Sequence, residues 1–265
     1  MNKNLCLFFA IAVLFFVFNG ISYAGLSVFP SVTNVHNTPG SIYEGSYDIK
    51  NSYDSDIYIV INVTKGNCFS GNKNIDFEKI LVFEENRYFI PAGETITVPY
   101  KLYVKKNFKG SVSVKAEFKV EKEHEQSITL LVSVPIYVIV SGTENIDFGI
   151  NSIDLVNSDY NKRICYNLSL TNKGNVHIRH SGDIEIYTKK KRQLIRNLKI
   201  NETVPTYCES NRDFVEMLLP YGELGKGKYI AVFKVRALGK EVEKEVKFKI
   251  LKNGKVQAKS RKVKK

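Results

Sequence analysis

The sequence has no GxSxG element, no phosphate-cradling glycine-rich loop and no HExxH pair. These absences exclude the hydrolases, nucleotide enzymes and zinc proteases that such motifs announce. Its four cysteines never stand in CxxC spacing, so neither thiol–disulfide exchange nor a zinc knuckle is supported. Tryptophan is missing and alanine is sparse, and no stretch repeats its apolar residues at helical period. Among the four histidines only His177 and His180 are close. Three apart on an extended strand, they would point to opposite faces, which is poor geometry for one metal ion. No metal or cofactor is expected, and both histidines are expected to face solvent. Carboxylates are scattered over polar faces and turns, so a non-enzymatic protein is expected.

What is present begins with an export signal. Lys3 supplies a positive start, Leu5 to Phe18 an apolar run, and Ser22-Tyr23-Ala24 a small-x-small cleavage pattern. The run is short for a bilayer span, and no later apolar segment approaches spanning length without charges. Residues 1–24 therefore read as a signal peptide, and the chain from about Gly25 as exported and soluble; a retained anchor is the alternative. Export permits disulfides. Cys68, Cys165 and Cys208 remain, and spacing alone cannot select a pair. Cys165–Cys208 is the expected bridge, since both fall in the second unit described below; three reduced thiols are the alternative. Lysine and arginine number 39 against 27 acidic residues, a net +12. Seven of those cations lie between Lys252 and Lys265, so 39 − 7, less Lys3, leaves 31 against 27, or +4. The basicity is mostly a tail property.

Period-two alternation dominates the rest. Val112, Val114, Ala116, Phe118 and Val120 alternate with Ser111, Ser113, Lys115, Glu117 and Lys119, placing apolar side chains on one sheet face. Ile57 to Val63, Ile164 to Leu170, Tyr229 to Val235 and Val246 to Ile250 repeat the pattern. Turn signals separate them: Pro39-Gly40, Pro91-Ala92-Gly93, Asn172 to Asn175 and Leu238-Gly239. Short strands at this spacing predict an all-β chain of two tandem immunoglobulin-like β-sandwiches. The first covers 25–143 and the second 145–251, joined by a short hinge at Ser141 to Asn145. Residues 252–265 lack alternation and read as a basic, mobile tail.

The first unit contains Phe89-Ile90-Pro91-Ala92-Gly93-Glu94 before a strand and ends in a long strand, Ser127 to Val140. The second contains Leu170-Thr171-Asn172-Lys173-Gly174-Asn175-Val176 directly after a strand. With the export signal, these resemble the PapD-like periplasmic chaperones of pilus assembly. The resemblance implies a periplasmic protein that holds pilus or surface-fibre subunits and works with an outer-membrane usher. It would lend the last strand of its first sandwich to a subunit lacking one, a β-augmentation. It also implies an Arg early in the first sandwich and a Lys on the lending strand to anchor the subunit's terminal carboxylate. The sequence departs there: Leu26 to Val32, read as the first strand, has no Arg, and Ser127 to Val140 has neither Lys nor Arg.

On that last strand Ile128, Leu130, Val132, Val134, Ile136 and Val138 share one face. These are the expected partner-binding residues, and Pro135, which cannot donate to a ladder, argues for an edge. The competing arrangement covers both faces within the protein, by sheet partner and second sandwich. That would leave a structural module of the envelope or of a fibre. Lys189-Lys190-Lys191-Arg192 reads as a hairpin loop, and the tail through Lys265 as able to touch an anionic envelope surface. Nucleic acid is not an expected partner, because export removes the chain from it and no aromatic stacking platform is present.

Overall fold

A computed structural model describes residues 25–69, 76–121, 130–190, 192–201 and 204–258. The signal segment 1–24, Ile128, Lys191 and the tail beyond Ala258 lie outside the described residues. Among those described there is no helix. The chain is all-β and forms two immunoglobulin-like sandwiches, each closed around its own cluster of buried apolar side chains.

The first sandwich uses β1 (Leu26–Phe29), β2 (Thr33–Asn37), β3 (Ile42–Asn51), β4 (Ile57–Phe69), β5 (Leu81–Phe83), β6 (Arg87–Ile90), β7 (Thr95–Tyr103), β8 (Gly110–Glu121) and β9 (Leu131–Val140). One sheet runs β1-β3-β7-β5 and the other β2-β9-β8-β4-β6. Every pairing is antiparallel except β2 with β9. The alternation of β8 does what its period dictates: Val112, Val114, Ala116 and Phe118 are buried beside Ile57, Ile59 and Ile61 of β4. Each valine, isoleucine or phenylalanine so removed from water contributes about 1.5–3 kcal/mol. Tyr47 sits at the centre, edge-on to Phe118 at 5.2 Å and beside Tyr100 at 4.9 Å.

The second sandwich uses β10 (Phe148–Ser158), β11 (Arg163–Asn172), β12 (Ser181–Thr188), β13 (Leu194–Ile200), β14 (Ser210–Pro220), β15 (Gly227–Ala237), β16 (Lys240–Ile250) and β17 (Val256–Ala258). Its sheets are β10-β11-β14 and β13-β12-β15-β16-β17. Tyr166 and Phe233 form its edge-to-face centre at 5.3 Å.

The two sandwiches share a device. Asn51 closes β3 with its amide Nδ2 donating to the carbonyls of Ser55, Ile90 and Pro91. Asn172 closes β11 in the same way, donating to Val176, Thr206 and Tyr207 while its Oδ1 accepts from Gly174 N–H. A buried amide with every group paired ties two loops to a strand end, and leaving those carbonyls unpaired would be costly.

Two expectations are corrected here. Leu26 to Val32 is not one strand: β1 stops at Phe29, and after Pro30 the chain crosses to the opposite sheet as β2. Proline offers no N–H to continue the first ladder. The tail does not begin at Lys252, because Val256 is buried in the second core and β17 pairs with β16. Asn157 holds both the N–H and the C=O of Val256. A three-residue strand is too short to display a period.

Candidate functional site

β9 is paired with β8 along its whole length, from Leu131 opposite Lys119 to Val140 opposite Gly110. On its other side β2 covers only Ile136 to Val140. Leu131 to Pro135 therefore has no strand on that side among the described residues. The direction of the backbone groups follows from two bonds at the strand's ends. Val120 N–H donates to Leu130 C=O at 3.0 Å, so even-numbered residues address β8. Ser141 N–H donates to Asn37 C=O at 2.9 Å, so odd-numbered residues address the β2 side. The parallel register sets Thr33 N–H against the Pro135 carbonyl, so beyond the reach of β2 it is the N–H and C=O groups of Leu131 and Ser133 that point into the open. Pro135 stands at an outward position, where its missing N–H breaks no bond.

Side chains divide by the same parity. Val134 is buried in the first core, and Leu130 and Val132 are half-buried against it. On the outer face Leu131 is 51% exposed, whereas Tyr137 and Ile139 are buried. Of the six expected binding residues, Leu130, Val132 and Val134 lie along the open stretch, and Ile128 is outside the described residues. Ile136 and Val138 are a correction: they lie between β8 and β2 and offer no edge. Which stretch of an apolar strand is capped depends on where a distant segment lands, and alternation within the strand carries no trace of it.

The outer face of the closed half is the junction between sandwiches. Tyr137 packs on His177 at 4.9 Å between ring centroids, and its hydroxyl meets that of Tyr207 at 3.3 Å. Burial pushes the Tyr137 hydroxyl above its ordinary range. Ser111 is buried; its Oγ accepts from His177 N–H at 3.1 Å and lies 2.9 Å from His177 Nδ1. Ser111 N–H donates to Asn175 C=O at 2.8 Å, and Gly110 N–H to Thr143 Oγ1 at 2.8 Å. Gly110 has a φ of +65°, and a Cβ there would stand 2.2 Å from Asn175 O; only glycine lets the sandwiches approach so closely. A hollow of about 300 Å³ opens beside this contact, lined by His36, Tyr137, His177 and Arg179 among others.

The expected exposure of the histidines is overturned: His177 and His180 are both buried. Burial takes His177 down to about 4, with the positive Arg179 and then His36 adding to it. His180 is also lowered by burial, edge-on to Phe214 at 4.4 Å. The stretch containing them is not a strand but the loop that carries the second sandwich's contact to the first. No group of side chains suited to hold a metal occurs among the described residues.

The disulfide expectation is corrected as well. Cys68 of β4 is bonded to Cys208, which precedes β14, and Cys165 is a free thiol. Cys165 lies on β11 opposite Met217, with its side chain on the outer face, while Cys68 reaches the junction where β4 bulges past Gly66. The bridge therefore joins the two sandwiches rather than closing the second. The Arg and Lys implied for a carboxylate anchor have no counterparts on β1, β2 or β9. Cations near the outer face of β9 come instead from Lys115 and Lys119, opposite Pro135 and Leu131, and from Arg179, whose guanidinium lies 5.6 Å from the Tyr137 ring centre.

No family model matches the chain, and no curated protein matches it. Solved structures of similar shape include the class 5 fimbriae chaperone CfaA, 15% identical with a TM-score of 0.46 over 83% of this chain and 98% of that one. A chain from a chaperone–tip adhesin complex of CFA/I fimbriae biogenesis is 16% identical, TM-score 0.45, over 84% and 98%. The E. coli chaperone DraB is 11% identical, TM-score 0.42, over 84% and 98%.

Proposed function

We propose that this chain is an exported, non-enzymatic carrier that binds pilus or surface-fibre subunits by accepting one of their strands along Leu131 to Pro135, with the periplasm as its compartment. Its units would be 25–143 and a second from 145 to at least Ala258, and an outer-membrane usher would receive the loaded complex. The observation that carries the reading is the half-covered β9: the odd-numbered backbone groups bond β2 down to the Pro135 carbonyl and continue uncovered through Ser133 and Leu131. A strand laid there would gain up to about four backbone hydrogen bonds, through the N–H and C=O groups of Leu131 and Ser133, each worth about 1 kcal/mol net. Association itself costs several kcal/mol, so specificity and the remaining affinity would come from apolar side chains. Leu130 and Val132, half-buried in the free protein, are placed to be covered by those of the client.

The test is co-purification of subunits with the chain from periplasm. Val132→Asp puts a charge into the contact, and Ser133→Pro removes an outward N–H without touching the core. Val132→Asp should still fold but with a lowered midpoint, because Val132 is half-buried against the core, whereas Ser133→Pro, at an exposed position, should keep its midpoint within about 2 °C, allowing for roughly 0.5 kcal/mol; both should lose the subunit. Retention of subunit by both would sink the carrier role and leave a structural module of the envelope.

A further inference from the structure

The second sandwich has two ends of opposite character. The end that meets the first sandwich is buried and hydrogen-bonded, as described above. The far end collects the turns after β10, β12 and β16 and the one before β15, because Ser158 is paired with Arg163, Thr188 with Tyr229 and Ile250 with Gly227. β12 spans 8 residues, which separates the two ends by about 26 Å at roughly 3.3 Å per residue.

Ion pairs fill the middle of the five-stranded sheet. Asp183 holds Lys199 at 2.5 Å and Arg236 at 2.7 Å, and Glu185 holds Lys234 at 2.9 Å. At the far end this pattern stops. Lys162, Lys189, Lys190, Lys226, Lys228 and Lys249 are exposed, and among the described residues none has a carboxylate partner. Lys228 even stands directly opposite Lys249, a like-charge pairing that costs stability. The acids of these turns are already taken, Asp159 by Lys255 at 2.8 Å and Glu223 by Arg196 at 2.9 Å. In the midst of these cations Tyr160, at the tip of the turn after β10, is 96% exposed. The described chain ends at Ala258, opposite Phe248 and next to the Lys249 position.

We infer that this far end docks on an anionic phospholipid surface. Uncompensated lysines on several turns match a plane of negative headgroups, and an exposed tyrosine among them matches the headgroup boundary, where amphipathic rings settle. A bilayer is favoured over a free polyanion because Tyr160 gives the end an apolar element that a polyanion has no use for. Docked this way, the second sandwich lies on the membrane while the uncovered half of β9, on the other sandwich, stays free. The inference does not depend on the subunit-binding reading.

Co-sedimentation with vesicles of phosphatidylcholine, with and without phosphatidylglycerol, tests it. Binding is expected only with phosphatidylglycerol, and it should weaken as salt shortens the screening length. Each lysine at such a surface is worth on the order of five-fold in partition, so Lys189→Gln, Lys228→Gln and Lys249→Gln together should lower binding about 100-fold or more. Tyr160→Ala should lower binding to vesicles but not to heparin. All these positions are exposed, so thermal midpoints should not fall, and relief of the Lys228–Lys249 pairing should raise that of the triple variant slightly. Equal binding to both vesicle types, or a triple variant that binds as the parent does, would overturn the inference. So would a chain stopped at Ala258 that loses all binding, since the tail alone would then be responsible. Tighter capture by heparin with no effect of Tyr160→Ala would assign the surface to a polyanion instead.

Discussion

Acid should loosen the junction through His177. Its imidazole is buried between the sandwiches against Ser111 and Tyr137, and its folded value is about 4 against an ordinary 6.5. Between those two values the unfolded chain takes up a proton that the folded chain refuses. Stability is therefore whole above about pH 6.5, declines as pH falls, and levels off once the folded form also titrates, near pH 4. At about 1.36 kcal/mol per pKa unit, the full loss is about 3 kcal/mol, of which about 2 kcal/mol is gone by pH 5. His180 adds loss in the same direction, and carboxylates contribute their own slope, so the wild-type curve alone is not diagnostic. His177→Asn keeps a group able to bond Ser111 Oγ but cannot titrate. Urea unfolding at pH 7.5 and pH 5.0 should show the variant weaker at the higher pH, by about 1–2 kcal/mol for the lost ring. That gap should narrow by about 2 kcal/mol at the lower pH. An NMR titration should also follow the His177 imidazole moving near pH 4. If variant and parent lose stability in parallel, or the His177 ring titrates near its ordinary value, the burial argument fails.

Three further outcomes follow from the junction and its ties. The Cys68–Cys208 bridge closes a loop with a sequence separation of 140, for which chain entropy gives about 5 kcal/mol; Cys208→Ser should lower denaturant stability by up to that amount. Non-reducing peptide mapping should link those two cysteines and leave Cys165 open to alkylation. Gly110→Ala should cost about 2–4 kcal/mol, because the added Cβ meets Asn175 O at 2.2 Å on a left-handed backbone; a thermal midpoint within a degree of the parent would contradict the close approach. Asn172→Ala should cost about 1–3 kcal/mol, chiefly through the Val176 carbonyl that it leaves unpaired, since those of Thr206 and Tyr207 keep Ile178 N–H and the Ser210 hydroxyl. Hydrogen exchange should rise first in the loop around His177, and a rise elsewhere would show that the amide is not what holds it.

Strand content and the two-sandwich architecture were legible because they rest on local rules. Alternation in β8 states which face is buried without reference to any other part of the chain, and Pro135 states that its own N–H needs no partner. Pro30 was a readable signal too: a proline inside an otherwise regular strand marks where β1 must yield to β2. The tying role of Asn172 lay in the segment that carried the resemblance, and its twin Asn51 ended a strand of the same kind.

Tertiary structure decided everything that depends on two distant segments meeting. Five residues of β2 convert half of an apolar strand into interior and leave Leu131 to Pro135 as the edge. Contact between the sandwiches buries Ser111 and His177, packing against Phe214 within the second sandwich buries His180, and the same junction brings Cys68 to Cys208 across most of the chain. Charge shows the same division: the number of lysines is a property of composition, but only the pairing of strands determines which have an acid within reach. Periodicity reports how a segment presents its own faces, whereas coverage, pairing and proximity are set by long-range packing, which no local pattern records.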